Sequence, residues 1–260
     1  CVWCHNPEGI SPKPQLAYYA HKCINCGSCV NICPQNAHKI QNKEHILDRN
    51  LCTDCGKCTN FCLGDALKFY GRTYSISGLL PLLTEDKDFY DNSGGGVTLS
   101  GGECLIHPDF CADLLKELKK ENIHTAVDTC GFVLKKAFDK VMPYTDIFLY
   151  DIKALDEKVH INCTGQSNRI ILENLKYLDD CEKKTEIRIP YVPECNSGEI
   201  KKILEFLRDF KNITKICILP YHSYAGSKYD ALDMKNTLPK KLPNAEEIEG
   251  FQKIADEITE

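Results

Sequence analysis

The sequence predicts an α/β protein in which a cysteine-rich insert interrupts a series of strands and helices. After residue 70, apolar stretches rich in β-forming residues alternate with amphipathic helix patterns. This alternation is typical of a parallel sheet that is open or closes as part of a (β/α) barrel. The predicted strands span residues 97–100, 124–129, 146–152, 185–192 and 215–221. Residues 15–71 interrupt the rhythm and hold eight closely spaced cysteines, which marks them as the insert.

Apolar side chains at helical spacing predict the helices between these strands. One stripe contains Cys111, Leu114, Leu115 and Leu118, and a second contains Ile200, Ile203, Leu204 and Leu207. Pro108 follows His107 at a position suited to the first turn of a helix. Residues 168–182 and 245–259 carry further helix patterns.

The composition describes a globular protein and argues against several classes of partner. Of the 260 residues, 43% are hydrophobic and 27% are charged, and the net charge is -5. This balance provides no basic surface for nucleic acid or for an anionic membrane. No apolar run reaches the roughly 18 residues that span a bilayer, and no signal peptide is visible.

The 17 cysteines are the anomalous feature of this composition. Disulfide-rich secreted scaffolds are one explanation, but such scaffolds are usually short and have a small core. Here the cysteines cluster at two-residue spacings before residue 63, and the rest of the chain is rich in periodic apolar sequence. We therefore predict metal ligation in the reducing cytoplasm.

Two cysteine runs predict two [4Fe–4S] clusters of the ferredoxin type. Each run has the spacing Cys-x2-Cys-x2-Cys-x3-Cys, and in this architecture the fourth cysteine of each run ligates the other cluster. A pair of zinc sites is the alternative, but four-coordinate zinc fits a repeated run of four cysteines poorly. The sequence predicts cluster one on Cys23, Cys26, Cys29 and Cys62, and cluster two on Cys52, Cys55, Cys58 and Cys33.

A further pair, Cys1 and Cys4, lies in the segment CVWCHNPEG. Taken alone, Cys-x2-Cys is compatible with a redox-active, zinc-binding or incidental pair. Trp3 and the Asn-Pro-Glu-Gly that follows make the segment resemble the end of the Cys-x3-Cys-x2-Cys motif of radical S-adenosylmethionine (SAM) enzymes. The resemblance implies that Cys1 and Cys4 are the second and third ligands of the catalytic cluster, and that the first ligand and a first strand precede residue 1. Three thiolates on four irons leave one iron open to SAM.

A glycine-rich segment, GGGVTLSGGE, occupies residues 94–103. Its glycines permit positive φ and a close approach of ligand to backbone, although a flexible turn or a phosphate loop has a similar composition. No Gly-Lys-Ser/Thr follows it, and its spacing is wrong for a dinucleotide-binding fingerprint. Together with CVWC, the segment resembles the Gly-Gly-Glu motif of radical SAM enzymes.

With these motifs, nearly the whole chain resembles the glycyl radical enzyme activating enzymes, a group similar to the pyruvate formate-lyase activating enzyme, in the branch with a two-cluster insert. The resemblance is also carried by DTCG at 128–131, YDIK at 150–153, the stretch from His160 to Asn168, RIP at 188–190 and LPYH at 219–222. It implies a partial (β/α)6 TIM-like radical SAM barrel that lacks its first strand and carries an inserted ferredoxin-like domain. The implied boundaries are 1–14 for the end of the cluster loop, 15–71 for the insert and 72–260 for the remainder of the barrel.

The resemblance further implies roles for residues at the strand ends. Glu103, with Gly101 and Gly102, would line the methionine end of SAM. Asp128, helped by Thr129, would accept from the SAM amino group, at a place where related enzymes can hold a monovalent cation. Lys153 would pair with the SAM carboxylate, and His222 would lie against its ribose or adenine. A turn-capping role for Asp128 and a solvated charge for Lys153 are the simpler alternatives.

Three positions depart from the family pattern. Cys104 replaces the proline that commonly follows Gly-Gly-Glu, Cys130 lies within the DTCG turn, and Leu63 replaces a proline after Cys62. The seven cysteines outside the cluster motifs share no spacing, and we expect most of them to be ordinary buried thiols.

The activity that the resemblance implies is that of an anaerobic oxidoreductase. A reduced [4Fe–4S] cluster passes one electron to SAM, and the 5′-deoxyadenosyl radical takes a hydrogen from a glycine of a partner glycyl radical enzyme. Flavodoxin or ferredoxin would supply the electrons, and we expect the protein to be a monomer. The insert clusters would either relay electrons to the catalytic cluster or shape the docking of the partner. Two alternatives stay open: a radical SAM enzyme that acts on another protein or a small molecule, and a ferredoxin-type electron carrier fused to a barrel.

Overall fold

The computed structural model describes residues 1–260, which form two compact units. The large unit comprises Cys1–Trp3, Tyr74–Ser223 and Pro239–Glu260, and the small unit comprises Cys4–Thr73 and Tyr224–Leu238. The strands are β1 (Gln15–Tyr18), β2 (His38–Gln41), β3 (Glu44–Leu47), β4 (Leu67–Tyr70), β5 (Gly96–Leu99), β6 (His124–Thr129), β7 (Ile147–Asp151), β8 (Thr185–Tyr191) and β9 (Ile213–Pro220). The helices are α1 (Ser28–Ile32), α2 (Ile76–Thr84), α3 (Lys87–Ser93), α4 (Pro108–Lys120), α5 (Lys135–Val141), α6 (Glu157–Thr164), α7 (Arg169–Asp180), α8 (Pro193–Asn196), α9 (Ile200–Leu207), α10 (Gly226–Ala231) and α11 (Ala245–Thr259).

The large unit is built on a sheet of five parallel strands. Strands β5, β6, β7, β8 and β9 are hydrogen-bonded in chain order, so that β5 and β9 form its edges. Each predicted strand matches an observed one to within two residues at either end. The predicted α/β class with a parallel sheet is therefore confirmed. Because the strands are parallel, all their carboxyl ends lie along the same edge of the sheet.

Helices of the large unit cover this sheet with the predicted apolar stripes. All eight stripe residues of α4 and α9 are buried, and α4 begins at Pro108 as the sequence indicates. The predicted helix at 168–182 is α7, and the helix at 245–259 is α11. The largest core side chains include Phe138, Phe148 and Tyr150. Burial of these faces supplies the main stabilisation of the unit.

The small unit contains two antiparallel strand pairs with a cysteine loop on each side. Strand β1 pairs with β4, and β2 pairs with β3. The helix α1 and a 3-10 helix at Lys57–Phe61 begin directly after Gly27 and Gly56, whose φ angles are 78° and 70°. Such angles favour glycine, so each loop can turn sharply between its second and third cysteines. Helix α10, from late in the chain, completes a small apolar core in this unit.

None of the 11 helices is both long enough and apolar enough to cross a bilayer.

Candidate active site

A cavity in the small unit collects cysteines from both runs. We call it cavity one. It is lined by Cys23, Cys26, Cys29 and Cys62, the four residues of the first predicted ligand set. Three of them come from the first run and the fourth comes from the end of the second run. The antiparallel pairing of β1 with β4 accounts for this crossing, because it brings the chain before the first run beside the chain after the second.

A second cavity in the small unit repeats the arrangement. This cavity two is lined by Cys33, Cys52, Cys55 and Cys58, the residues of the second predicted set. The fourth cysteine of each run lines the cavity of the other run and accepts one backbone hydrogen bond. Cys33 Sγ accepts from the Ala37 amide at 3.3 Å, and Cys62 Sγ accepts from the Ala66 amide at 3.2 Å. Each amide follows its cysteine by four residues.

The donor chemistry of the two cavities fits [4Fe–4S] clusters. Each offers four sulfurs, and amide donors to sulfur stabilise thiolate ligands. Burial raises the pKa of Cys58 to about 12, and it also raises the pKa of Cys29. A thiolate at these buried positions needs a positive counter-charge, which a bound iron would supply.

In the large unit, all seven predicted SAM-binding residues follow or end strands at the carboxyl edge of the sheet. The Gly101–Glu103 segment follows β5, Asp128 and Thr129 end β6, Lys153 follows β7, and His222 follows β9. Gly101, Gly102 and His222 are exposed. This edge is where enzymes built on parallel sheets place their active sites.

The Glu103 carboxylate ties the end of β6 to the loop after β5. It accepts hydrogen bonds from Thr129 Oγ1 at 2.8 and 2.9 Å and from the Cys130 amide at 2.9 Å. It also accepts from the amide of Leu105 at 3.0 Å, which caps a short 3-10 helix. These are charge-assisted bonds, so Glu103 anchors the carboxyl end of the loop that carries Gly101 and Gly102.

Asp128 lies between two polar side chains for which the sequence assigned no site role. Ser100 Oγ donates to Asp128 Oδ2 at 2.8 Å, and Arg188 Nη1 lies 3.0 Å from the same oxygen. Arg188 lies on β8, two strands away from Asp128 on β6. The RIP segment at 188–190 contributed to the family resemblance. Its spacing in the sequence did not predict that Arg188 reaches across β7 to Asp128.

Lys153 is almost completely buried and pairs with Asp151. Its Nζ lies 3.1 Å from Asp151 Oδ2, and only 11% of its side chain is exposed. Burial by itself opposes the charge, but Asp151, Cys130 and Glu103 outweigh it and raise the Lys153 pKa above its usual range. Lys153 therefore stays an ammonium and offers a fixed positive charge at the sheet edge.

The two unusual cysteines near Glu103 are held within the strand ends. Cys104 Sγ lies 3.5 Å from the carbonyl oxygens of both Leu99 and Asp128, so its thiol bridges the ends of β5 and β6. Burial and the Glu103 charge raise the pKa of Cys130 to about 11. Both side chains are therefore thiols at neutral pH.

The segment that carries the front cysteine pair is anchored within each unit separately. In the large unit, where Cys1 is exposed, the Val2 amide donates to the carbonyl of Cys163 at 2.8 Å. In the small unit, Tyr229 Oη donates to the Cys4 carbonyl at 3.0 Å. Lys228 Nζ donates to the residues after Cys4: the His5 carbonyl, Asn6 Oδ1 and Glu8 Oε1, at 2.7–3.1 Å. Sequence patterns did not indicate this use of α10, because the contacts span more than 200 residues.

Comparison with known proteins agrees with these features. The family model of the Radical SAM superfamily matches residues 58–207, and that of the 4Fe-4S dicluster domain matches residues 22–67. The trans-4-hydroxy-L-proline dehydratase activating enzyme of Clostridioides difficile is 40% identical over 260 residues, which cover 98% of this chain and 86% of that protein. The choline trimethylamine-lyase activating enzyme of Oleidesulfovibrio alaskensis is 39% identical, with 89% and 77% covered. The crystal structure of a domain of pyruvate-formate lyase-activating enzyme from Bacteroides vulgatus superposes with a TM-score of 0.53 at 31% identity, over 64% of this chain and 95% of that one.

The parallel sheet, the cysteine-lined cavities and the two family matches first define the class: this is a radical SAM enzyme with an iron–sulfur dicluster domain. Within that class, the chain belongs to the glycyl radical enzyme activating enzymes. It uses SAM and iron–sulfur clusters to abstract a hydrogen from a glycine of a partner glycyl radical enzyme. The predicted activase function is thus confirmed, in preference to a ferredoxin-type carrier or another radical SAM activity.

Proposed function

We propose that the partner of this activase is a glycyl radical enzyme of the eliminating type, a dehydratase or a lyase. The observation that carries this proposal is the kind of partner named for the relatives, since activating enzymes of dehydratases and lyases match at 37–40% identity and again at 33–34%. Relatives at 37–40% identity are activating enzymes of a dehydratase, a trimethylamine-lyase, a sulfolyase and a sulfite-lyase. The benzylsuccinate synthase activating enzyme of Thauera aromatica, whose partner is a synthase, is 36% identical over 89% of this chain.

The strand-end residues of the large unit supply the proposed SAM site. Glu103, Asp128 and Lys153 place two negative charges and one positive charge at one sheet edge, which suits the ammonium and carboxylate of a methionine moiety. Gly101 and Gly102, exposed and without side chains, let SAM approach the backbone. Thr129 holds Glu103 in place, and His222 is the exposed group for the ribose or adenine. A monovalent cation beside Asp128 would compete with Arg188 for the same oxygen.

Three [4Fe–4S] clusters complete the proposal. Cys1 and Cys4 belong to the catalytic, SAM-binding cluster, and the eight cysteines of the two cavities hold the auxiliary clusters. The four-sulfur donor set of each cavity supports closed auxiliary clusters with no open iron. The insert at 15–71 would receive electrons from a flavodoxin or ferredoxin. We further propose that the protein is a monomer of the reducing cytoplasm, where cysteines outside the cluster motifs stay free thiols.

The cluster number is tested on the complete protein after anaerobic reconstitution. Three clusters give about twelve irons, and a reductant then releases 5′-deoxyadenosine from SAM. Replacing both Cys1 and Cys4 with alanine should leave about eight irons and abolish SAM cleavage. An unchanged iron count in that variant would contradict the assignment of the front pair.

The partner is identified by electron paramagnetic resonance. The reconstituted activase is incubated with SAM, a reductant and, in separate samples, a hydroxyproline dehydratase, a choline lyase, a glycerol or propanediol dehydratase, an arylacetate decarboxylase and a benzylsuccinate synthase. We expect the glycyl radical doublet only with dehydratases or lyases. A variant of each partner in which the radical glycine is alanine is the matched control. A doublet with the synthase or the decarboxylase alone would overturn the proposal.

A further inference from the structure

Two buried histidines connect the cysteine cavities of the small unit. His45 lines cavity one, and His38 lines cavity two. His38 Nδ1 and His45 Nε2 are 2.9 Å apart, so one ring donates a hydrogen bond to the other. His38 is 2% exposed and His45 is 8% exposed. A polar pair this deeply buried between two cysteine cavities calls for a specific explanation, because burial of polar groups is costly unless they are satisfied.

The internal repeat of the small unit shows that the cysteine motif does not require these histidines. His45 precedes Cys52 by seven residues, and Leu16 precedes Cys23 by the same number. His38 follows Cys33 by five residues, as Leu67 follows Cys62. Leu16 lines cavity two and Leu67 lines cavity one. Each cavity is therefore lined by one leucine and one histidine, and each leucine takes the place that a histidine has in the other cavity. Leu16 and Leu67 show that the cavity wall at these places does not require an imidazole.

One atom of the pair is left without a partner. His45 Nδ1 is buried and makes no hydrogen bond to any other protein atom. The Sγ of Cys29 and one nitrogen of each ring lie within 4.8 Å of one another, so a cysteine sulfur of cavity one lies close to the histidine pair. Tyr18 packs its ring edge against His45 at 4.5 Å between centroids and limits how the imidazole can turn.

The tautomers of the two rings follow from these contacts. Both rings are buried, and their 2.9 Å contact requires the N–H of one ring and the lone pair of the other, so the tautomers of the two rings are coupled. A proton on His45 Nε2 would leave the buried Nδ1 with only a lone pair, which a cluster in cavity one could not satisfy because its sulfurs accept hydrogen bonds but do not donate them. A proton on Nδ1 avoids this, because Nε2 then accepts from the Nδ1–H of His38.

We propose that His45 donates a hydrogen bond from Nδ1 to a sulfur of the cluster in cavity one, and that His38 is the positioning residue that sets the His45 tautomer. This inference rests on the ligand sets of the proposed function. Hydrogen bonds to cluster sulfurs stabilise the reduced, more negative cluster and raise its potential. Leu16 occupies the equivalent place in cavity two and cannot donate. The pair thus makes the two auxiliary clusters unequal, with cluster one as the stronger electron acceptor.

The test measures the reduction potentials of the auxiliary clusters in the complete, reconstituted protein by redox titration with electron paramagnetic resonance. His45→Phe keeps a ring against Tyr18 but removes the donor. We expect it to shift the one-electron reduction of cluster one about tenfold toward the oxidised form, which corresponds to about 59 mV. His45→Gln, which retains an N–H donor, should restore at least half of the shift. His38→Leu should shift the potential of cluster one in the same direction but by a smaller amount, because nothing then fixes the proton on Nδ1 of His45.

Two controls make the result decisive. Leu16→Met changes the equivalent wall of cavity two without a donor and should move neither potential. Cys26→Ser and Cys55→Ser each alter the spectrum of one cluster and so identify which potential moves. In the reduced protein, an exchangeable proton coupled to cluster one should disappear in D₂O and be absent in His45→Phe.

Three outcomes overturn the proposal. Unchanged potentials in His45→Phe at full iron content would show that no hydrogen bond reaches the cluster. A shift confined to cluster two would show that the pair has the opposite tautomers. An auxiliary iron count near four in the parent protein, with one other metal bound by Cys29 and the histidines, would overturn the ligand sets and the hydrogen bond together.

Discussion

The cavities of the small unit and the strand ends of the large unit differ in how they balance charge. The cavities gather four thiols each and offer no cationic side chain to neutralise them except Lys57, at the wall of cavity two. The strand ends pair their charges with one another, as Asp128 does with Arg188 and Lys153 with Asp151. The proposed clusters would supply the positive charge that the first region lacks, whereas in the second region Asp128 and Lys153 have protein partners of opposite charge.

They also differ in how far along the chain their residues come from. Three of the cysteines of cavity one lie within seven consecutive residues, 23–29. Ser100 and Asp128 are 28 residues apart, and Arg188 follows Asp128 by a further 60. Local spacing supplies three of the four cysteines of each cavity, whereas the sheet brings together all the members of the strand-end network. Substitutions should therefore affect the first region through metal loss and the second through packing and pairing.

The largest effect is expected from removing a buried ligand of cavity two. Cys58→Ala leaves three cysteines in that cavity, so we expect the loss of about four irons and of most of the cooperative unfolding of the small unit. Iron analysis and thermal unfolding measure both. Cys217→Ala, on β9 and outside the cysteine runs, is the matched control and should keep its iron. A fully loaded Cys58→Ala protein would show that metal does not complete this region.

The second-largest effect is expected at Gly131, which follows β6 and lies against Tyr150 of β7. A Cβ at Gly131 would lie 1.8 Å from Tyr150 Oη, at a φ of +71°. Gly131→Ala should therefore destabilise the protein by about 4 kcal/mol, through steric overlap and backbone strain together. Gly165→Ala is the control, because its φ is +80° but no atom lies within 4 Å of its Cβ; it should cost about 1 kcal/mol. Equal melting temperatures for the two variants would contradict this packing argument.

Much of the structure of the cavities and of the strand ends was predictable from the sequence, for physical reasons that differ between the two regions. The cysteine runs follow a local spacing rule, so the two groups of four cysteines that line the cavities could be written down from residue numbers, and their role as cluster ligands stays a prediction. The five strands were visible because they are short segments rich in β-branched and aromatic residues that lie between amphipathic helix patterns. Gly101, Glu103, Asp128 and Lys153 were placed at one edge by the rule that parallel strands end together.

The pairings across that edge could not be predicted in the same way. Whether Arg188 meets Asp128 depends on side-chain direction and on the order of the strands in the sheet. The donors from α10 to the residues after Cys4 depend on a contact across most of the chain. His38 and His45 lie seven residues apart with no metal-binding spacing, and their contact arises from the register in which β2 pairs with β3.

A medium effect is expected from the lysine that holds the front segment in the small unit. Lys228→Met keeps the apolar stem but removes three donated hydrogen bonds and leaves the Glu8 carboxylate without its cation. Because Glu8 is mostly buried, we expect a loss of about 2 kcal/mol and faster proteolysis within residues 5–10. Lys235→Met, at an exposed position of the same unit, is the control. Protection from protease equal to the parent would show that Lys228 is dispensable for this loop.

The smallest effect is the coupling between Asp128 and Arg188. Their side chains are 23% and 29% exposed, so solvent screens the pair and we expect a coupling free energy of about 1 kcal/mol. It is measured by a double-mutant cycle of Asp128→Asn and Arg188→Met, with unfolding as one readout and SAM affinity as the other. If Asp128 binds the SAM amino group, the Asp128→Asn variant should lose more affinity than Arg188→Met, because the arginine variant retains the carboxylate. Additive effects on stability would contradict a charge pair between Asp128 and Arg188. Lys153 and Asp151 would then be the remaining charge pair that distinguishes the strand ends from the cysteine cavities.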